Sequence, residues 1–434
     1  MENPQSAIPN PQSAIPNPQS AIRNPQSAIP NPQSPISRGV FQRIPRLWAR
    51  VSPRAIRRNL AAIRSRLPRK TALAAVVKSD AYGHGMQLAA RVAASEGCAF
   101  LAVISVEEAA ALRDVGFDCG ILVIGPIEPW QATEAVALDL GVFTGNLEVA
   151  QALDDAAREQ NTRARVHLKI DTGMGRFGFQ DAPEEFGPAL DRLLQLSHLN
   201  LEGAATHFTM ADEPQSECTR EQTRRFRLVL RMLEARGVRP RWIHAANSGT
   251  IVHFPNTAFS LIQTGLVMYD DADPGPYPLV RAGLAMYGVY PGPEPEAALE
   301  LEPAMTLGCR IADIRGVPTG FSVSYAGTFK TTRPSRLAVL PVGYGCGYPR
   351  HASGKAEAII RGRRAPLAGR ITMNITVADV TDVPEARVGD TALLFGREGS
   401  DLLRVEEVAR AAGTIPYEVL CNVGRCTPRL LEED

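Results

Sequence analysis

From residue 72 onward, short apolar runs rich in β-branched residues alternate with longer amphipathic stretches of helical period. The runs fall at 72–77, 99–104, 120–124, 141–144, 165–170, 201–205, 242–246 and 279–285, and helical patterns such as 106–115, 147–159, 184–196 and 217–236 fill gaps between them. A further helical stretch at 52–66 precedes them. Strand followed by helix, repeated, is the pattern of a parallel sheet with helices outside, and eight strands suffice to close it into a (β/α)8 TIM barrel. After about Tyr290 the texture changes to Gly/Pro-rich turns between short β-branched runs at 335–342, 356–360, 375–380 and 390–394, with a helix-length pattern at 404–412. The expected architecture is α/β: a barrel domain over 44–289 and a C-terminal all-β domain over 290–434.

Residues 1–38 follow neither pattern. They repeat a heptad of Asn-Pro-Gln-Ser-Ala-Ile-Pro type. Proline at that density removes backbone donors, and two apolar residues per unit are too few to bury a core, so the segment reads as disordered low complexity. It is either a recognition arm or translated upstream DNA, and the perfection of the repeat favours the second.

Composition narrows the partners. The 434 residues carry a formal net charge of +1 without basic or acidic blocks, which argues against nucleic acid or an anionic membrane and for a small-molecule substrate. Seven cysteines at irregular spacings give neither a disulfide framework nor a metal site. With no membrane-length apolar run and no signal-peptide core, the expected compartment is the cytoplasm.

A barrel places its chemistry where strands end and loops begin, on one face. The polar residues meet that demand. Lys78 and Tyr82 follow the first run, in Lys78-Ser-Asp-Ala-Tyr82-Gly-His-Gly, and the fifth leads through Lys169-Ile-Asp171 into Thr-Gly-Met-Gly-Arg176. His207 closes the sixth run, His244-Ala-Ala-Asn247-Ser248-Gly249 the seventh, and Arg281-Ala-Gly283-Leu284 lies on the eighth. A lysine desolvated at such a strand end has a lowered pKa and can form a Schiff base, although a lysine snorkelling from a strand end gives the same pattern. Asn247, Ser248, Gly249, Gly283 and Leu284 occupy the quarter where barrels bind phosphate, which suits a phosphorylated cofactor, and equally reads as two ordinary turns. His207 alone could be a core histidine. In the β domain, Ser322-Val-Ser-Tyr325-Ala-Gly-Thr, Pro341-Val-Gly-Tyr344-Gly and Gly369-Arg-Ile-Thr-Met373-Asn374 each place a tyrosine or amide on a loop.

Taken together and in order, six signatures from about residue 44 to the end resemble those of the alanine racemase family. The resemblance implies pyridoxal phosphate (PLP) held by Lys78 on a (β/α)8 barrel, and interconversion of L- and D-alanine, with D-alanine supplied to peptidoglycan. By the same resemblance Lys78 and Tyr325 would be bases on opposite faces of the cofactor. Tyr82, Ser248 and neighbouring amides would hold the phosphate. Arg281 would face the pyridine nitrogen with His207 beside it, and Arg176, the Met373 backbone and Tyr344 would meet the substrate. Arginine only donates, so the nitrogen it faces stays unprotonated, which limits decarboxylation and transamination. Lys169 matches the lysine that many members carry as a carbamate. Tyr325, Tyr344 and Met373 would arrive from a partner subunit, which implies a homodimer with composite sites.

The chain departs from the pattern at Asn374, at Cys346, and at Arg425, where some members have a phosphate-binding tyrosine. An extra stretch, 264–270, echoes 282–288 like a local duplication; only the second copy is preceded by arginine, so the eighth strand is assigned to Arg281. The alternatives are a PLP-dependent racemase of serine or lysine, or a non-catalytic PLP-binding protein of single-barrel type, against which the β domain with Tyr325 argues.

Overall fold

The computed structural model describes residues 45–68, 70–213, 216–253, 277–292 and 299–432. The repeat at 1–38 and the first copy of the duplication at 264–270 lie outside them.

Eight parallel strands close a barrel: Ala72–Val76, Phe100–Val103, Gly120–Val123, Leu140–Thr144, Ala164–Asp171, Leu199–Ala205, Trp242–His244 and Tyr277–Ala282. Closure is direct, since the eighth strand pairs with the first in the register Arg281↔Ala74, and the fourth with the fifth as Thr144↔Leu168. Arginine 281 therefore stands on a barrel strand, as the second copy of the duplication required.

Caps fix where several helices begin. Ser52 accepts the Ala55 N–H ahead of Pro53–Ser65, Ser105 accepts the Glu108 N–H ahead of Val106–Asp114, and Asn146 accepts the Val149 N–H ahead of Leu147–Glu159. In Leu147–Glu159 the buried residues Val149, Ala150, Leu153, Ala156 and Ala157 form one stripe against the sheet.

The C-terminal domain is β-rich. Its larger sheet runs Arg363–Pro366, Glu357–Ile360, Thr391–Glu398, Met305–Arg310, Leu47–Val51, Arg429–Leu431, with Asp401–Leu403 paired to Thr391–Glu398. A second sheet joins Asp313–Val317, Ser335–Leu340 and Thr376–Asp379. The segment just after residue 44, read from sequence as the start of the barrel domain, is a strand of this larger sheet. Leu47–Val51 lies antiparallel to Met305–Arg310, with Trp48 opposite Gly308, and parallel to Arg429–Leu431. A side chain at Gly308 would press into the Trp48 indole at 2.8 Å, so the pair is fitted.

Two helices, Val405–Ala412 and Pro416–Cys426, carry this domain back to the barrel. The second was not foreseen. Its buried positions Val419, Leu420, Val423 and Gly424 follow helical spacing, and Gly424 lies so close to Gly83 that a Cβ on either would collide with the other's backbone or its neighbour's. No helix among the described residues is long and apolar enough to cross a membrane.

Candidate active site

The first barrel strand ends in an unusual turn. Ser79, Asp80, Ala81 and Tyr82 all have φ between 53° and 56°, a left-handed turn built from residues other than glycine, before Gly83 and Gly85 continue at 83° and 99°. Each such residue is strained, so the turn survives only because its surroundings hold it. Glu108 accepts the Ser79 N–H at 2.7 Å, Asp80 accepts the Met86 N–H at 2.7 Å, and Arg429 from the last strand grips both the Asp80 carboxylate and the Gly83 carbonyl. The buried His84 ring donates from Nδ1 to the Ala81 carbonyl at 2.9 Å and stacks on Tyr287 at 4.4 Å. The result aims Lys78 from the strand end into a cavity of about 600 Å³ at the C-terminal mouth of the barrel.

Burial, with the Arg176 guanidinium adding to it, holds the Lys78 amine below the usual lysine range. Tyr82, from the same turn, packs between Tyr287 and Tyr417 at 5.3 and 5.6 Å, and its hydroxyl lies 2.9 Å from where a Cβ on Gly283 would stand. Ser248 Oγ, across the same gap, accepts the N–H groups of Gly283 and Ala285 at 2.9 and 3.3 Å, which leaves its own proton free to donate. Asn247, Gly249 and Leu284 line the same side of the cavity. The hydroxyls and the missing Cβ form a small polar cradle fitted to an anion.

The opposite wall is cationic. Lys169, fully buried on the fifth strand, donates to the carbonyls of Ile170 at 2.8 Å and Phe177 at 3.3 Å. Burial lowers its pKa to about 8, Asp171 pulling the other way and Arg281 and Arg176 adding to the depression. Asp171 makes no direct ion pair with the group; four backbone N–H groups, from Gly173 to Arg176, converge on its carboxylate at 2.7–3.1 Å. That loop carries Arg176 to the cavity. Arg281 is buried and spends its donors on neutral acceptors: the Thr206 carbonyl at 2.8 Å, His244 Nδ1 at 3.0 Å and His207 Nδ1 at 3.2 Å. Burial and Arg176 bring it down to about 10, and burial with Arg281 drives His207 and His244 well below the usual histidine range, so both rings are neutral. Four cations, Lys78, Lys169, Arg176 and Arg281, outnumber the carboxylates of Asp171 and Asp212 and create a site that attracts anions.

Every barrel residue selected from the sequence thus meets here. The three from the β domain do not line this cavity. Tyr325, Tyr344 and Met373 are 72 %, 43 % and 56 % exposed, on loops that touch one another: the Gly345 N–H donates to the Met373 carbonyl at 2.8 Å, and Ser324 Oγ to the Arg370 carbonyl at 2.6 Å. Sequence reasoning missed Tyr417 and His167, and named His244 only as the end of the seventh run, without a role. Positions 167, 169 and 171 alternate along one strand face, so period two could have exposed His167 as a neighbour of Lys169. Tyr417 opens a helix that gave no clear signal.

A barrel with a depressed-pKa lysine at its first strand end, an anion cradle over its last two strands and an appended β domain defines an enzyme class whose chemistry begins at an amine. The alanine racemase N-terminal domain family matches residues 51–273, and the alanine racemase C-terminal domain family residues 304–431. An alanine racemase of Symbiobacterium thermophilum is 40 % identical over 382 residues, covering 88 % of this chain and 96 % of that one. One from Methylacidiphilum infernorum is 37 % identical over 383 residues, covering 88 % and 92 %. The crystal structure of alanine racemase from D-cycloserine-producing Streptomyces lavendulae superposes with a TM-score of 0.79 at 36 % identity, covering 90 % of this chain and 97 % of that one. The chain belongs to the alanine racemase family.

Proposed function

We propose that the protein interconverts L-alanine and D-alanine using pyridoxal phosphate held by Lys78. The observation that carries this reading is the shared cavity of Lys78, its pKa depressed by burial, and the cradle of Tyr82, Ser248 and Gly283, which suits an aldehyde cofactor with a phosphate arm. Bound there, the cofactor supplies the electron sink that makes the α-proton of alanine acidic.

The residues divide the remaining work. Tyr82 and Ser248 would hold the phosphate, with Gly249, Gly283, Leu284 and Asn247 lining its side of the cavity. Arg281, which can only donate, would face the pyridine nitrogen and hold it unprotonated, with His207 beside it. Arg176 binds the substrate carboxylate. Lys169, with a pKa of about 8, has enough free amine near neutral pH to take up carbon dioxide as a carbamate, and the resulting anion would offset the surrounding cations and steady Arg176.

Racemisation needs a proton removed from one face and returned on the other. Lys78 Nζ serves the face used by D-alanine, and Tyr325 of the partner subunit the face used by L-alanine. The exposed cluster of Tyr325, Tyr344, Met373 and Ile375 supports this, because apolar and aromatic side chains so open to solvent suit a subunit interface. A homodimer with two composite sites follows, acting in the cytoplasm and supplying D-alanine for peptidoglycan.

The test is a polarimetric or coupled-enzyme assay with each enantiomer, alongside the absorption band of bound cofactor, for wild type and Lys78→Ala. Interconversion in both directions, with band and activity lost in the variant, is expected. A Lys78-dependent band with no turnover of alanine, serine or lysine would favour a PLP-binding protein instead.

A further inference from the structure

Behind Arg281 the barrel core holds a line of buried polar side chains that the proposed reaction does not use. Arg281 Nη1 lies 3.0 Å from His244 Nδ1, His244 Nε2 lies 3.0 Å from His167 Nδ1, and His167 Nε2 lies 3.4 Å from Glu202 Oε2, the long link of the series. Both imidazoles are completely buried, walled by Phe143 and Phe100. The line runs from the cavity toward the opposite end of the barrel, where Arg165 and Trp242 close over Glu202.

Its ends dictate the protons between them. A guanidinium can only donate, so His244 Nδ1 must accept and the His244 proton sits on Nε2. His167 Nδ1 must then accept in turn, and the His167 proton is left on Nε2, which makes no hydrogen bond but lies 3.4 Å from the Glu202 carboxylate and is attracted to its charge. We infer that Glu202, acting through His167 and His244, fixes the tautomers that let Arg281 keep its position in the active site. All three are positioning residues, since Glu202 and the two histidines reach the reaction only through Arg281.

The backbone is shaped for this line. Along the fifth and sixth strands the register steps from Val166↔Leu201 to His167↔Gly203, so Glu202 is the extra residue of a bulge, a device that re-aims a side chain. At Gly203 an added Cβ would lie 2.0 Å from His167 Nδ1, so only glycine leaves room for the ring. A carboxylate is also specifically required. Glu202 Oε2 faces Arg165 Nε at 2.9 Å as well as His167, while Oε1 faces Arg165 Nη2 and Trp242 Nε1, both at 3.3 Å. An amide in either orientation would set an NH2 group against donors.

The experiment compares wild type, Glu202→Gln and Glu202→Leu in the full-length holoenzyme labelled with 15N-histidine, with His167→Gln to assign the ring signals. Wild type is expected to show His244 and His167 each as one neutral tautomer, protonated on Nε2. Both Glu202 variants should show mixed tautomers, and a kcat for alanine lower by about 10-fold or more with KM little changed, because Arg176 is untouched. Should Glu202→Leu fail to fold, the near-isosteric Glu202→Gln decides alone. Wild-type tautomers together with wild-type kcat in Glu202→Gln would overturn the inference, as would a wild type with either ring protonated on Nδ1. The kinetic arm rests on the racemase reading and the spectroscopic arm does not, so a wild type inactive on alanine would sink that reading while the tautomers still decide this one.

Discussion

The two halves of the proposed active site are built in opposite ways. On the barrel, Lys78, Lys169 and Arg281 are withdrawn from water and shifted in pKa by their burial, and Lys169 and Arg281 are each held by several partners. On the β domain, Tyr325, Tyr344 and Met373 sit on open loops with their side chains in solvent. One half is complete within a single chain; on the proposed reading the other acquires its environment from a second copy. Cofactor binding and proton transfer should therefore fail separately.

The sharpest way to separate them is Tyr325→Phe, which removes the base proposed to serve the partner's site and should lower kcat by about 10²–10⁴-fold while the cofactor band survives. Mixing Tyr325→Phe chains with Lys78→Ala chains should then restore activity, since each mixed dimer has one site free of both changes, approaching about a quarter of the wild-type level after random reassociation. No recovery on mixing would mean that both residues serve the same chain's site. Next in size, Ile375→Glu puts a charge on the open face and should convert dimer to monomer by analytical ultracentrifugation, with activity falling in parallel. On the barrel side, Gly283→Ala fills the space beside the Tyr82 hydroxyl and should weaken cofactor binding by about 1–3 kcal/mol in a fluorescence titration, with the dimer intact.

The smallest effect concerns pH. Burial lowers the His84 pKa to about 4, against an unfolded value near 6.5. Between these values the unfolded chain binds the proton and the folded one does not, so stability contributed by the neutral ring is present above about pH 6.5 and is lost as pH falls toward 4. Denaturant melts across that range should show a shallower slope for His84→Gln than for wild type.

The same contrast governs what could be read from sequence. Barrel strands and their helices announce themselves locally, through period and caps, and Leu147–Glu159 coincides with its expected bounds because Asn146 fixes its start. Barrel geometry then gathers the barrel candidates, since strand ends share one face: Lys78, Tyr82, Lys169, Arg176, His207, Asn247, Ser248, Gly249, Arg281, Gly283 and Leu284 all line one cavity. Leu47–Val51 could not be placed because five residues of strand pattern do not say which sheet they join, and its partner lies more than 250 positions away at Met305–Arg310. The helix Pro416–Cys426 was hidden by Gly424, which is there for close contact with Gly83 and not for helix propensity. His167 and His244 were visible as letters, but their roles follow from a register step at Glu202 that no local pattern encodes.

That distant pairing of Leu47–Val51 also orders events during synthesis. The strand is made before the barrel strands, yet its neighbours Met305–Arg310 and Arg429–Leu431 are translated only after the last of them. A growing chain therefore carries an unsatisfied edge, with Trp48 uncovered, past the completion of all eight barrel strands. Ribosome-bound intermediates of this protein should thus be vulnerable to strand-to-strand association until Arg429–Leu431 emerges, and Arg429 on that strand also latches the turn that aims Lys78.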